Sequence, residues 1–263
     1  MRKRPLMLAV AFFCVTGVVP AAALSQSPYL TPADYDVLHL LPPPPAPGSD
    51  AERKDVETVA ALRAASSPER IALAQKDATD GLTAFAATLA PGFDFAKVPD
   101  VEAFFRKVGR DVQFATALGK DCWERPRPFV LDGNIHPPGT MKEDTLQRPG
   151  AKNTAPHGPG SPCPALNHSP QYSYSYPSGH STFGAMTAIL LSDMAPEKRT
   201  ELYARGWQFG ESRIVGGVHY PTDVDAGRID ATALVAVMMR NADFRADLAA
   251  AGAELRASLS LNR

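Results

Sequence analysis

The chain has 263 residues and a formal charge of -1, with 44% hydrophobic residues and 25 prolines. This composition allows a sizeable hydrophobic core, so it excludes a largely disordered protein. The length suits one large domain or two small ones.

The first 23 residues have the pattern of a secretory signal peptide. A basic start at Arg2–Arg4 is followed by the apolar stretch Leu6–Val19 and by three alanines ending at Ala23. The alternative is a retained membrane anchor, but a spanning helix needs about 20 apolar residues and this run is shorter. We therefore expect cleavage after Ala23, a periplasmic location and no stable membrane anchor. The mature chain then holds 24 Lys and Arg against 28 Asp and Glu, which argues against nucleic acid as a partner.

A Pro-rich arm is predicted next, over residues 24–50, because Pro42–Pro45 forces an extended polyproline segment. Beyond it, apolar spacing and helix start and stop signals predict one helical domain over residues 51–263. Thr222, with Asp225 three residues later, has the pattern of a capping box. No convincing strand pattern occurs, so the predicted fold is all-α, a single compact domain. The helices are expected at about 51–65, 67–79, 82–89, 100–124, 178–194, 196–213, 222–239 and 242–259.

Two cysteines remain after signal cleavage, because Cys14 leaves with the signal peptide. An even number of cysteines in an oxidising compartment favours a disulfide between Cys122 and Cys163, with two unpaired thiols as the alternative. Their spacing does not match a zinc site, and no histidine pair has a tight ligand spacing. We therefore predict no metal and no cofactor.

The first chemically informative segment contains Lys120 and, seven residues later, Arg127. Both could simply be solvated cations at a helix C-terminus. However, Pro126 and Pro128 stiffen the backbone around Arg127, and a rigid arginine suits bidentate recognition of phosphate. Arg125 lies nearby and is set aside on its motif position only.

The second segment is Pro177-Ser178-Gly179-His180, directly before an apolar helix. A helix N-terminus offers unpaired N–H groups and the positive end of the helix dipole. Ser178 adds a hydroxyl, and Gly179 lets a large anion approach the backbone. The segment therefore favours an anion site, although an ordinary serine N-cap would look similar.

The third segment places Arg213, His219 and Asp223 close together in sequence. A carboxylate beside a histidine fixes the imidazole tautomer and stabilises its positive form. A structural His–Asp pair at a helix start is the alternative. If His219 attacks phosphorus, its reacting nitrogen must be unprotonated, and Asp223 on the other nitrogen would ensure this.

Together the segments supply the groups that phosphoryl transfer requires. His219 is the predicted nucleophile and His180 the predicted general acid. Lys120, Arg127, Arg213 and the helix N–H groups would neutralise charge on the transferred group, so no metal is needed.

The three segments resemble the signature of the phosphatidic acid phosphatase type 2 superfamily, which includes the vanadium haloperoxidases. Every fixed position of Lys-x6-Arg-Pro, Pro-Ser-Gly-His and Ser-Arg-x5-His-x3-Asp is present in order. Within it, the chain resembles class A bacterial non-specific acid phosphatases through its signal peptide, its Leu-Leu-Pro-Pro-Pro-Pro arm and Tyr174-Ser175-Tyr176. The resemblance implies a helical fold and hydrolysis of many phosphate monoesters through a phosphohistidine. It implies catalytic roles for His219, His180 and Asp223, and phosphate contacts from Lys120, Arg127, Ser178, Gly179 and Arg213.

Three other functions fit parts of the same pattern. A vanadium haloperoxidase shares the site, but such enzymes are generally much longer. A lipid phosphate phosphatase embeds the motifs among spanning helices, although a soluble enzyme could still accept lipid phosphates. A non-catalytic phosphate-binding protein would need neither a proton donor nor a nucleophile. We expect small phosphate monoesters as partners and leave a homo-oligomer open.

Overall fold

A computed structural model of the chain describes residues 28–31, 34–138 and 174–261. Among these residues helices dominate and no strand occurs, which confirms the all-α prediction. The predicted signal peptide lies outside the described residues. The longer helices are α1 (Asp50–Ala65), α2 (Pro68–Asp80), α3 (Pro99–Trp123), α4 (Gly179–Met194), α5 (Arg199–Val215), α6 (Pro221–Met238) and α7 (Ala242–Ser258). Shorter α-helical turns cover Val37–Leu40, Ala86–Leu89 and Pro128–Leu131, and 3-10 turns cover Gly81–Phe85, Phe95–Lys97 and Pro196–Lys198.

Helix α4 is the central element of the fold. It packs against α3, α5, α6 and α7, and most of its residues from Ser181 to Met194 are buried. A helix packed against four neighbours must carry apolar or small side chains over most of its circumference, and the sequence of α4 does so, with Asp193 exposed. Because four neighbours fix α4, its N-terminus is held in one place.

Two glycines allow the neighbouring helices to approach α4 closely. A Cβ at Gly206 of α5 would lie 2.9 Å from the carbonyl oxygen of Gly184. A Cβ at Gly227 of α6 would lie 2.7 Å from the carbonyl oxygen of Ser178. Backbone-to-backbone approach at these two points requires glycine, so α5 and α6 both pack directly against α4.

The N-terminal arm packs on the helical core rather than extending away from it. Tyr29 and Tyr35 are buried, and the hydroxyl of Tyr35 donates to Asp230 of α6. The hydroxyl of Tyr176 donates to the carbonyl of Pro42, so the proline segment contacts the residues that precede α4.

Most predicted helices lie within a few residues of their expected bounds, with two differences. The segment 82–89 is not one helix, because a 3-10 turn, Gly81–Phe85, precedes the α-helical turn Ala86–Leu89. The segment 196–213 begins as a 3-10 turn, and α5 itself runs from Arg199 to Val215.

Within the described ranges, no helix combines the length and the apolar character that crossing a membrane would require.

We predict that Gly227→Ala lowers the free energy of unfolding by about 1 to 3 kcal/mol, since the added methyl meets the backbone of α4. It should also raise KM, because the displaced backbone belongs to the predicted anion site. Gly252→Ala is the matched control, since its Cβ would lie 3.4 Å from the Met194 side chain. Urea unfolding that finds both variants equally stable would contradict the close approach of α6.

Candidate active site

The N-terminus of α4 lies at the centre of the predicted site. Ser178 is its N-cap, and the Ser178 hydroxyl accepts a hydrogen bond from the backbone N–H of Ser181 at 3.3 Å. Gly179 is the first helical residue, and a Cβ there would lie 3.4 Å from Thr116 of α3. The unpaired N–H groups of this first turn and the helix dipole favour a bound anion.

The imidazole of His219 has a different partner on each nitrogen. Nδ1 lies 3.2 Å from Oδ2 of Asp223, and Nε2 lies 2.6 Å from Nη1 of Arg127. Because a carboxylate accepts and a guanidinium donates, Nδ1 carries the proton and Nε2 presents its lone pair. This is the tautomer that a nucleophilic Nε2 requires.

Asp223 holds its position because it belongs to the first turn of α6. The prediction that Thr222 caps this helix with Asp225 is wrong. The helix begins at Pro221, where a missing N–H has no consequence, so Tyr220 is the N-cap. The carboxylate of Asp223 accepts the backbone N–H of Tyr220 at 2.9 Å, and the same oxygen faces the histidine.

His180, in the first turn of α4, is held by α2 and α5. Its Nε2 lies 3.2 Å from the carbonyl oxygen of Ala78, and its ring stacks on Phe209 with centroids 6.0 Å apart. A carbonyl only accepts, so Nε2 carries a proton and Nδ1 is the nitrogen left for proton exchange with a substrate.

The three predicted cations come from three different elements. Lys120, near the end of α3, donates to the carbonyl of Tyr174, and Arg127 donates to the carbonyl of Val218 at 2.6 Å. Arg213, in the last turn of α5, is buried, as is Arg127. The structure therefore brings together residues separated by more than 90 positions in the chain.

Burial lowers the pKa of His219 well below its usual value, and the charges of Arg127 and Lys120 lower it further. Burial and then Arg213 lower the pKa of His180 in the same direction. Burial and Arg127 lower the pKa of Lys120, and burial with Arg213 lowers the pKa of Arg127 to about 9. A phosphate dianion would oppose all of these shifts, so the site is electrostatically complementary to such an anion.

Sequence reasoning missed the groups that surround Asp223. Arg125, which was set aside, is fully buried and donates to Asp223 at 2.6 Å. The hydroxyl of Ser175 donates to the other oxygen of Asp223 at 2.5 Å. Asp55 of α1 bonds Arg125 at 2.7 Å. One signal was available, because Asp55 is an acidic residue four positions before the buried Val59, on the helix face directed to the core.

The remaining histidines and cysteines do not form a metal cluster in the described part of the chain, where no three His, Cys, Asp or Glu side chains converge. His39 pairs with Asp36 on the surface. His157 and His168 lie outside the described residues, as does Cys163. Cys122 is buried and disulfide-bonded, while its predicted pairing with Cys163 stays a prediction.

Comparison with known proteins identifies the class of this helical protein. The PAP2 superfamily model matches residues 111–247, which include all three motif segments. An acid phosphatase of Zymomonas mobilis is 32% identical over 84% of this chain and 75% of its own. A non-specific acid phosphatase of Providencia stuartii is 31% identical over 81% and 78%, and one of Salmonella typhi is 30% identical over 79% and 75%. The chain belongs to the PAP2 superfamily, and its resemblance to bacterial non-specific acid phosphatases is confirmed.

We predict that the free energy of unfolding falls by about 1 to 2 kcal/mol per histidine between about pH 7 and about pH 5 because of His180 and His219. The pKa of each is lowered in the folded protein, so the unfolded chain binds protons that the folded chain does not. Stability due to these groups is therefore present above the unfolded pKa of 6.5 and is lost as the pH falls below it. Urea unfolding at both pH values checks this.

The double variant His180→Gln/His219→Gln is the control for the other titrating groups. It should lose less stability over the same pH interval than the parent chain. An equal loss in both proteins would contradict the lowered pKa of the two histidines in the folded chain. Saturating inorganic phosphate should reduce the loss in the parent chain, because the bound anion favours protonation of both rings.

Proposed function

We propose that this acid phosphatase of the PAP2 superfamily hydrolyses phosphate monoesters through a covalent phosphohistidine on His219. The observation that carries the proposal is the pair of contacts on that ring: Asp223 on Nδ1 and Arg127 on Nε2. A ring held in this way keeps its lone pair on Nε2, and Arg127, which donates to that nitrogen, transfers its hydrogen bond to a phosphoryl oxygen when the substrate binds. The conclusion rests on geometry and on family membership together.

In the first step the Nε2 lone pair of His219 attacks phosphorus, and the bond between phosphorus and the ester oxygen breaks. The electron pair of that bond leaves with the alkoxide, which takes a proton from protonated His180. Asp223 stabilises the positive charge that develops on the His219 ring. The phosphoryl oxygens are stabilised by Lys120, Arg127 and Arg213, together with the backbone N–H groups of Gly179 and His180 in the first turn of α4.

In the second step His180, now neutral, accepts a proton from water as the water oxygen attacks phosphorus. The bond between phosphorus and Nε2 breaks, its electron pair returns to His219, and inorganic phosphate leaves. The proton balance requires His180 to be protonated before each turnover. Burial and Arg213 lower its pKa, so protonated His180 is favoured by acidic solution and by the dianionic substrate. This supports an acidic pH optimum.

The proposed substrates are small phosphate monoesters of many kinds, since the contacts proposed above involve only the phosphoryl group and the ester oxygen of the substrate. We also propose that the mature enzyme is periplasmic, on the basis of the signal-peptide pattern in the first 23 residues. Determining the N-terminal residue of the enzyme recovered from a periplasmic extract tests this, and an N-terminus before Ala23 would contradict it.

We predict that the purified enzyme hydrolyses para-nitrophenyl phosphate with EDTA present and that His219→Ala lowers kcat by at least about 1,000-fold. Removal of the nucleophile leaves only binding and charge stabilisation. Quenching a reaction with labelled substrate in alkali should trap one phosphoryl group per chain in the parent enzyme and none in the variant. Activity that EDTA abolishes, or a fully active variant, would reject the proposed route.

For the general acid, we predict that the loss of kcat/KM in His180→Ala depends on the leaving group, because kcat/KM reports the first step, in which the leaving group departs. A poor leaving group such as a simple alkoxide needs protonation, whereas para-nitrophenolate leaves with little help. The variant should therefore lose about 100-fold or more activity on an alkyl phosphate and clearly less on para-nitrophenyl phosphate. Equal losses on both substrates would show that His180 does not protonate the leaving group.

A further inference from the structure

Arg125 lies fully buried at the centre of a charge cluster that the proposed reaction does not use directly. Its two terminal nitrogens contact different carboxylates: Nη1 donates to Oδ1 of Asp223 at 2.6 Å, and Nη2 donates to Oδ2 of Asp55 at 2.7 Å. Both carboxylates are almost completely buried as well. A charged group is rarely buried in this way unless its partners are fixed around it.

The two oxygens of Asp223 have separate partners. Oδ2 accepts hydrogen bonds from the Ser175 hydroxyl, from the Tyr220 backbone and from Nδ1 of His219. Oδ1 accepts the bond from Arg125. With Oδ1 held by Arg125 and Oδ2 by backbone and side chain, the carboxylate plane cannot rotate. The orientation of the imidazole that it contacts is set in the same way.

Arg125 has two further contacts, one on the face of its guanidinium and one on Nη1. Its guanidinium lies 3.9 Å from the ring centroid of Tyr220, and its Nη1 also donates to the hydroxyl of Thr222 at 2.8 Å. The Thr222 hydroxyl in turn donates to Asp55. Asp55 belongs to α1, whereas Thr222 and Asp223 belong to α6. Arg125 therefore connects α1 with the turn of α6 that contacts His219.

We propose that Arg125 is a positioning residue for the reaction. Asp55 holds Arg125 in place, Arg125 fixes the carboxylate of Asp223, and Asp223 in turn fixes His219. The proposal rests on the proposed function and adds to it two residues outside the motif set. Arg125 makes no contact with the transferred phosphoryl group in this scheme. Its loss should therefore slow the chemical step and leave phosphate binding nearly unchanged.

The charge of Arg125 also affects the protonation of Asp223. Burial raises the pKa of Asp223, and the largest effect opposing this is the charge of Arg125, followed by the hydrogen bond from Ser175 and the bond from the Tyr220 backbone. The charged or titratable groups that surround Asp223 are Asp55 on α1, Lys120 on α3, Arg125 and Arg127 after α3, Tyr176 before α4, and His219 and Tyr220 before α6. Without Arg125 the carboxylate should accept a proton at higher pH and stop supporting His219.

The test compares the parent enzyme with Arg125→Met and Arg125→Lys on para-nitrophenyl phosphate. Arg125→Met should lower kcat by about 10- to 100-fold, as loss of an orienting group does in other sites. The inhibition constant of inorganic phosphate should stay within about threefold of the parent, whereas Arg127→Met should raise it by about tenfold or more. In Arg125→Met, the acidic limb of the pH profile of kcat/KM should move to higher pH. Arg125→Lys should also lose about tenfold in kcat, because one ammonium group cannot bond both carboxylates in the same geometry.

Arg205→Met is the matched control, since Arg205 forms another ion pair with a buried carboxylate, Asp77, and does not contact Asp223. It should lower the melting temperature and leave the acidic limb in place. The proposal is overturned if Arg125→Met keeps kcat within about threefold of the parent. It is also overturned if kcat falls while the acidic limb of the kcat/KM profile stays in place, because simple destabilisation would have that result. If circular dichroism shows Arg125→Met unfolded, the kcat of Arg125→Lys decides by the same threefold criterion. A parent enzyme with no phosphatase activity would instead reject the proposed function itself.

Discussion

The interaction on which the rest of the site depends is the hydrogen bond between Asp223 and His219. A buried carboxylate is costly unless each oxygen is bonded, and here the backbone of Tyr220, the hydroxyl of Ser175 and the guanidinium of Arg125 supply those bonds. Each donor comes from a different stretch of chain. The His219 ring is therefore fixed only where the start of α6, the segment before α4 and the end of α3 meet.

The second requirement is a high density of positive charge in a buried place. Lys120, Arg127 and Arg213 lie close enough that each lowers the pKa of its neighbours, and burial adds to the effect. Such repulsion destabilises the folded chain, the charge of Asp223 offsets part of it, and a bound dianion would offset more. The central packing of α4 supplies the rigidity, because a helix enclosed by four neighbours keeps its N-terminus in place while like charges surround it.

Most of the fold and much of the site could be predicted because the signals are local. The apolar character of α4, the start at Ser178 and the stop near Pro126 follow from neighbouring residues. The predicted cap of α6 is wrong because Thr222 matches the capping pattern better than Tyr220, the residue that caps the helix in the structure. Pro221 favours the observed start, because proline is well suited to the first position of a helix. This start decides that Asp223, and not Asp225, faces His219.

The sequence by itself determined the all-α class, the family and the residue types that phosphoryl transfer needs, because these depend on periodicity and on motif spacing. Only the tertiary structure decided how the motif side chains face one another and which tautomer His219 adopts. It also decided that Arg125 lies between Asp223 and Asp55, although 70 positions separate the arginine from Asp55 and 98 from Asp223. No local pattern records such a contact. It arises when α1 and α6 pack against each other around one buried guanidinium, whose charge requires both carboxylates.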